Sequence, residues 1–178
     1  MTETFVCQIC GESHEGLSHD IGYTLPDIVW AIPEADRAEQ AKFTNDCCQY
    51  GERYFIRCIL LLLPRVVAGQ TSEDRPSPED YFGWGVWVEV ERPVFMRYVE
   101  LWKADGSAEP RYSGTIANAI PVYDGCLGAA VEIQFGNATS RPSVHCRADD
   151  RSALAEDQRS GVDCERYAHD VRAHALGG

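Results

Sequence analysis

The sequence is short of positive charge and of long apolar runs. Lys and Arg total 16 against 28 Asp and Glu, a formal charge of −12 over 178 residues. Such a chain repels phosphate backbones and anionic membrane surfaces, and no local basic patch offsets the excess. Nucleic acid and membranes are therefore not expected partners, whereas a basic protein is. The longest aliphatic run, residues 59–63, stops at Pro64, far below the ~20 apolar residues that span a bilayer. It reads as a buried strand. The start, Met1-Thr2-Glu3-Thr4, lacks the positive region and apolar stretch of a secretory signal, so a cytoplasmic location is expected. With 44% hydrophobic and 25% charged residues the composition is that of a folded chain. No repeat or internal linker divides it, so one domain over 1–178 is expected.

Cysteine is plentiful: Cys7, Cys10, Cys47, Cys48, Cys58, Cys126, Cys146 and Cys164. Among reduced thiols, and with enough chain to build a core, disulfides are not expected. Cys58, Cys126, Cys146 and Cys164 sit singly among apolar residues and read as small buried hydrophobes. Cys7-Gln8-Ile9-Cys10-Gly11 is different. Two cysteines two residues apart can turn both sulfurs toward one ion, and the following glycine permits the tight backbone this needs. His14 and either Cys47 or Cys48 would complete a tetrahedral zinc site. Four protein ligands leave no place for water, so the zinc would be structural. A redox Cys-x-x-Cys normally opens a helix, and Gly11-Glu12-Ser13-His14-Glu15-Gly16 does not resemble a helix start.

The pattern predicts an α+β fold, mainly an antiparallel sheet with flanking helices and an N-terminal zinc knuckle. Pro33 followed by Glu34, Asp36 and Glu39 predicts a helix over 34–43. Residues 54–63 form a central strand, apolar on both faces except at Arg57. Residues 67–78, rich in Gly, Ser, Asp and Pro, form an exposed loop. In the strand over 84–91, Trp84, Val86, Val88 and Val90 share one face, and Trp87, Glu89 and Glu91 the other. A helix over 93–104 carries the stripe Phe95, Tyr98, Val99 and Trp102 toward the sheet. Strands over 129–135 and 143–147 are antiparallel neighbours, and a last helix begins near Asp163.

From Phe5 to this last helix the chain resembles the bacterial family called domain of unknown function 2199. The resemblance is carried by residues 7–14, Asp46-Cys47-Cys48, Tyr54-Phe55-Ile56-Arg57, residues 83–88, Arg141-Pro142 and Gln158-Arg159-Ser160-Gly161-Val162. It implies kinship of fold and no reaction. The family's Asp-x-Cys pattern implies Cys48 over Cys47, giving Cys7, Cys10, His14 and Cys48 as the ligand set. The chain departs from the pattern at Ser152-Ala153, where relatives tend to carry a His-Pro pair.

A second candidate site is Arg57 with Trp84, Trp87 and Arg141. A lone arginine in an apolar strand needs an anion or several carbonyls, and Asp46 is the expected internal partner. Alternatively, Arg57 or Arg141 grips a carboxylate or phosphate between tryptophan walls. His145 and Cys146 point to opposite faces of a strand and form no dyad. His169 and His174, five apart on a helix, read as solvated. The leading expectation is a non-catalytic binding module for a protein partner. The alternative is a small-molecule enzyme with a pocket at Arg57 and Trp84 or with an open position on zinc, and a cavity of ~300 Å³ or more would favour it.

Overall fold

The structure is a computed structural model and describes residues 4–6, 13–15, 20–65 and 82–163. Strand β1 (Thr4–Val6) pairs antiparallel with β2 (Ser13–Glu15), with Phe5 opposite His14. The cysteines Cys7 and Cys10, the loop over 67–78 and the last helix, with Cys164, His169 and His174, lie outside the described residues. Of His14 only the backbone is described.

The fold is α+β around a mainly antiparallel sheet, as the patterning predicts. Its centre is the pair β6 (Arg53–Leu62) and β7 (Phe82–Val90), joined in register from Tyr54 opposite Val90 to Leu62 opposite Phe82. Ile56, Cys58, Leu60 and Leu62 alternate inward from β6, and Phe82, Trp84, Val86, Val88 and Val90 from β7. Period two sets this split, and the branched side chains suit a pleated, buried surface.

Closure of the sheet was not expected. Strand β7 pairs with β8 (Tyr112–Ile116), β8 with β9 (Ala130–Gln134), and β9 with β10 (Ser143–Cys146), all antiparallel. Strand β10 then returns to β6 in parallel through Ser143 and Ile59. Five strands thus form a closed mixed barrel filled by Ile116, Val131, Ile133 and Val144 together with the inward rows of β6 and β7. Three more strands extend it. Strand β3 (Asp20–Gly22) runs parallel to β7, and β4 (Ala41–Phe43) and β5 (Cys47–Tyr50) add to the free stretch of β6.

A second apolar cluster lies outside the wall. Cys48, Phe55 and Trp87 point outward there and are covered by Leu25, Ile32, Ala117 and Val29 of the short helix α1 (Asp27–Trp30). Helix α2 (Glu34–Gln40) ends earlier than expected. From Ala41 the backbone is extended and pairs with β5, so strand pairing wins over the helical start signal. Helix α3 (Arg92–Glu100) carries Pro93 in its first turn, as expected, but ends at Glu100 and not at 104. Only half of its stripe faces the barrel: Phe95 and Tyr98 pack on the core, whereas Val99 and Trp102 are exposed.

Helix α4 (Ala153–Ser160) was not anticipated. Its N-cap is Ser152, whose hydroxyl accepts from the Ala155 amide at 3.2 Å. Serine is among the best residues for this capping position. Gln158 latches the helix to the barrel: its side chain accepts from the Cys146 amide at 2.6 Å and donates to the Val144 carbonyl at 2.9 Å.

Gly161 ends α4 with φ of 80°. A Cβ there would lie 2.7 Å from the Arg65 Cα and 2.9 Å from the Pro64 carbonyl oxygen. Left-handed strain and a backbone clash thus act together. Gly161→Ala should cost about 3 kcal/mol, read as a lowered urea midpoint with unchanged m-value. An unchanged midpoint would show that the chain relaxes freely at this corner.

Candidate functional site

Strand alternation decides which of the expected pocket residues meet. Arg57 and Trp87 are opposite one another on β6 and β7, on the outer face. Trp84, three residues before Trp87, falls on the inner face and is buried in the barrel core. Arg57 and Trp84 are therefore separated by the barrel wall and do not line one pocket. The reason is period two itself, which sends odd and even residues to opposite sides.

Arg141 lies where the wall divides. The Arg57 amide donates to the Asp46 carbonyl at 2.9 Å, and the Ile59 amide, two residues on, donates to the Pro142 carbonyl at 2.8 Å. Strand β5 and strand β10 thus reach the same edge of β6 at adjacent places and then part. The Arg141 Nε donates to the Asp46 carboxylate at 2.5 Å across this fork. Three of the stretches that carry the family resemblance meet here: Asp46-Cys47-Cys48, Tyr54-Phe55-Ile56-Arg57 and Arg141-Pro142.

Asp46 is therefore not the ion-pair partner of Arg57. Its carboxylate is taken by Arg141, and it offers Arg57 a backbone carbonyl. The Arg57 guanidinium reaches back over β7 and β3. A Cβ on Gly22 would be 2.7 Å from Nη2, and one on Gly85 would be 3.7 Å from it, so these glycines make room for it. Nη1 donates to the Asn45 carbonyl at a long 3.4 Å, and the buried Nε has no acceptor among the described residues. Burial and the nearby Arg141 cation lower its pKa, with Asp46 opposing.

Beside the fork is a cavity of about 430 Å³. Its walls are Asp46 and Arg141, Ile59 of β6, Tyr98, Leu101 and Trp102 from the end of α3, Phe135 after β9, and the turn 136–140. The turn is tightly built. The Asn137 side-chain oxygen accepts from the Thr139 amide and hydroxyl, each at 2.9 Å, and the Ser140 hydroxyl accepts from the Asn137 amide at 3.0 Å. Helix α3 is fixed by Arg97, which donates to Glu109 at 2.6 Å, while Glu109 also accepts from Tyr112. Tyr98 packs against Phe135 at 5.3 Å and meets Trp102 edge-on at 5.6 Å. Burial, and then the neighbouring Cys47 and Asp46, push the Tyr98 phenol pKa up, so the phenol is a neutral donor at pH 7.

The adjacent cysteines point to opposite faces. Cys48 is fully buried in the outer cluster, and burial raises its thiol pKa to about 11. Cys47 is half-buried, raised to about 12 by burial and then by Asp46. Among the described residues no group of three or more His, Cys, Asp or Glu side chains is placed to hold a metal. Of the expected ligands Cys7, Cys10, His14 and Cys48, only Cys48 has a described side chain.

A polar hub that sequence reasoning missed is Asn118. It is fully buried, accepts from the Trp87 amide at 2.8 Å, and donates to the Leu25 carbonyl at 3.0 Å and to Asp27 at 2.8 Å. Asp27 also accepts from the Ala119 amide at 2.7 Å. The hub pins α1 to the chain between β8 and β9. No motif surrounds Asn118 that could have signalled it.

Fold and site together define a small mixed β-barrel, extended by a strand array, with a cleft where its wall divides. The chain belongs to the family domain of unknown function 2199, described as an uncharacterized protein conserved in bacteria, whose pattern matches residues 6–162. Neither a curated protein nor a solved structure matches it. Among the described residues no helix is long and apolar enough to cross a membrane.

Proposed function

We propose that this protein is a binding module that takes a small anionic molecule in the crevice at the strand fork. The observation that carries the reading is Arg141. Its Nε is held by Asp46, and among the described residues neither Nη has an acceptor. A guanidinium anchored in this way presents a planar pair of donors suited to a carboxylate or phosphate. A volume of about 430 Å³ suits a small molecule. Binding is favoured over covalent chemistry because the Tyr98 phenol and the Cys47 thiol beside the fork are held protonated.

The reading is tested by titrating the ¹⁵N-labelled protein with simple anions. The amides of residues 136–141 and the Trp102 indole should shift with at least one of them, and the shifts should vanish in Arg141→Met. Shifts confined to other regions, or unaffected by that substitution, would overturn it. The cavity's volume alone favours a second reading, a small-molecule enzyme using the same crevice. Turnover of a bound ligand, lost in Arg141→Met, would establish it, and a ligand recovered unchanged would remove it. A basic protein partner is a separate proposal resting on the charge of −12, and no association with a polybasic protein at low salt would sink it.

We also propose a structural zinc held by Cys7, Cys10, His14 and Cys48. The antiparallel ladder of β1 and β2 on either side of the cysteine pair supports this reading. Metal analysis should find about one zinc per chain. Metal-free folded protein with Cys7 and Cys10 freely titratable would dismiss the site.

A further inference from the structure

Charge, dipole and wall chemistry narrow the occupant of the crevice. Arg141 lines the crevice with its charge already met by the Asp46 carboxylate, and Arg57, which does not line it, adds a cation only at range, so the positive charge left for an occupant is small. The last turn of α3 and its C-cap, Leu101, meet the crevice, and the carbonyl end of a helix disfavours further negative charge. A dianion is therefore a poor match and a monoanion a good one. The remaining wall is aromatic: Phe135, Tyr98 and Trp102 contact one another in sequence, and Trp102 is 42% exposed. Its uncovered surface is a place for a flat ring to stack or meet edge-on.

We infer that the crevice binds a monocarboxylate borne on a planar aromatic body, the carboxylate on the Nη pair of Arg141 and the ring against Trp102 and Tyr98. The inference rests on the reading of the crevice as an anion site. The arginine alone would hold any small anion, and the aromatic wall alone any flat apolar molecule. Their juxtaposition selects a molecule with both features and a single negative charge.

The test uses the full ¹⁵N-labelled chain and four probes at pH 7.5: phenylacetate, acetate, the neutral 2-phenylethanol and the dianionic phenyl phosphate. Phenylacetate should bind about tenfold or more tighter than each of the others, the gain expected when one aromatic contact is added to one charge contact. Trp102→Ala should weaken phenylacetate several-fold and leave acetate unchanged, and Arg141→Met should remove both. If Arg141→Met does not fold, Arg141→Lys replaces it and should still lose most of the binding. Acetate or phenyl phosphate binding as tightly as phenylacetate, with shifts at residues 136–141, would overturn the ring and single-charge inference and leave the anion site standing. Equal binding of 2-phenylethanol would overturn the carboxylate. Absence of shifts at 136–141 with every probe would overturn the inference and the anion site together.

Discussion

Asn118→Ala should destabilise the fold by about 3–5 kcal/mol. The residue is fully buried and bonds the Trp87 amide and the Leu25 carbonyl. Truncation leaves a donor on the central strand and an acceptor before α1 without partners, each costing about 1–3 kcal/mol. Total stability for a domain is of the order of 5–15 kcal/mol, so the variant should have a sharply lowered urea midpoint. Asn118→Asp is informative in a different way. It keeps an acceptor for Trp87 but sets a second carboxylate beside Asp27, which now accepts from Asn118 at 2.8 Å. Like charges raise carboxyl pKa values, so this penalty should be greatest at neutral pH and partly relieved on acidification, as one of the pair is protonated. A loss below about 1 kcal/mol for Asn118→Ala would mean that water enters and replaces the side chain.

Trp87→Ala should cost a similar amount, about 3–5 kcal/mol, the range for emptying a buried tryptophan site. Trp87 is fully buried at the centre of the outer cluster and its indole donates to the Tyr23 carbonyl at 3.1 Å. The loss combines a cavity between the barrel and α1 with an unpaired carbonyl. Trp102→Ala is the control, because its side chain is substantially exposed and exposed positions of this kind usually change stability by ~0.5 kcal/mol or less. The two tryptophans should therefore separate cleanly in chemical denaturation, one acting on stability and the other on binding. Equal losses would mean that Trp102 supports α3 more than its exposure suggests.

What was legible in the sequence depended on how local its cause was. The inward and outward rows of β7 followed from alternation, and the β9–β10 pairing followed from two β-rich runs around Gly136-Asn137 and Arg141-Pro142. The end of α2 is not legible locally, because Ala41 obeys a partner strand and not its own neighbours. Short elements such as α1, β3 and β8 carry too few residues for a periodic signal. The oddity of Arg57 was visible, but its setting was not: Asp46 is claimed by Arg141, 95 residues away in sequence, and the space for the guanidinium comes from Gly22 and Gly85. Trp84 and Arg57 are parted by the same alternation that puts Trp84 on the inner row of β7, since Arg57 is paired with the outward Trp87. The crevice itself joins residue 46, the end of α3 and the turn 136–141, which only barrel closure brings together.

That closure has a consequence for how the chain assembles. The seam between β6 and β10 joins Ile59 to Ser143, 143 − 59 = 84 positions apart, whereas the other barrel strands pair with sequence neighbours in antiparallel steps. Contacts of such separation carry a large loop-closure entropy and form late when nearer ones can form first. Hairpins around β8, β9 and β10 should therefore precede the seam, and the two lips of the fork, one carrying Asp46 and the other Arg141, come together only in the final event. An intermediate with an intact β8–β10 meander would still lack the proposed anion site, so the Asp46–Arg141 contact should appear only at the moment the barrel shuts.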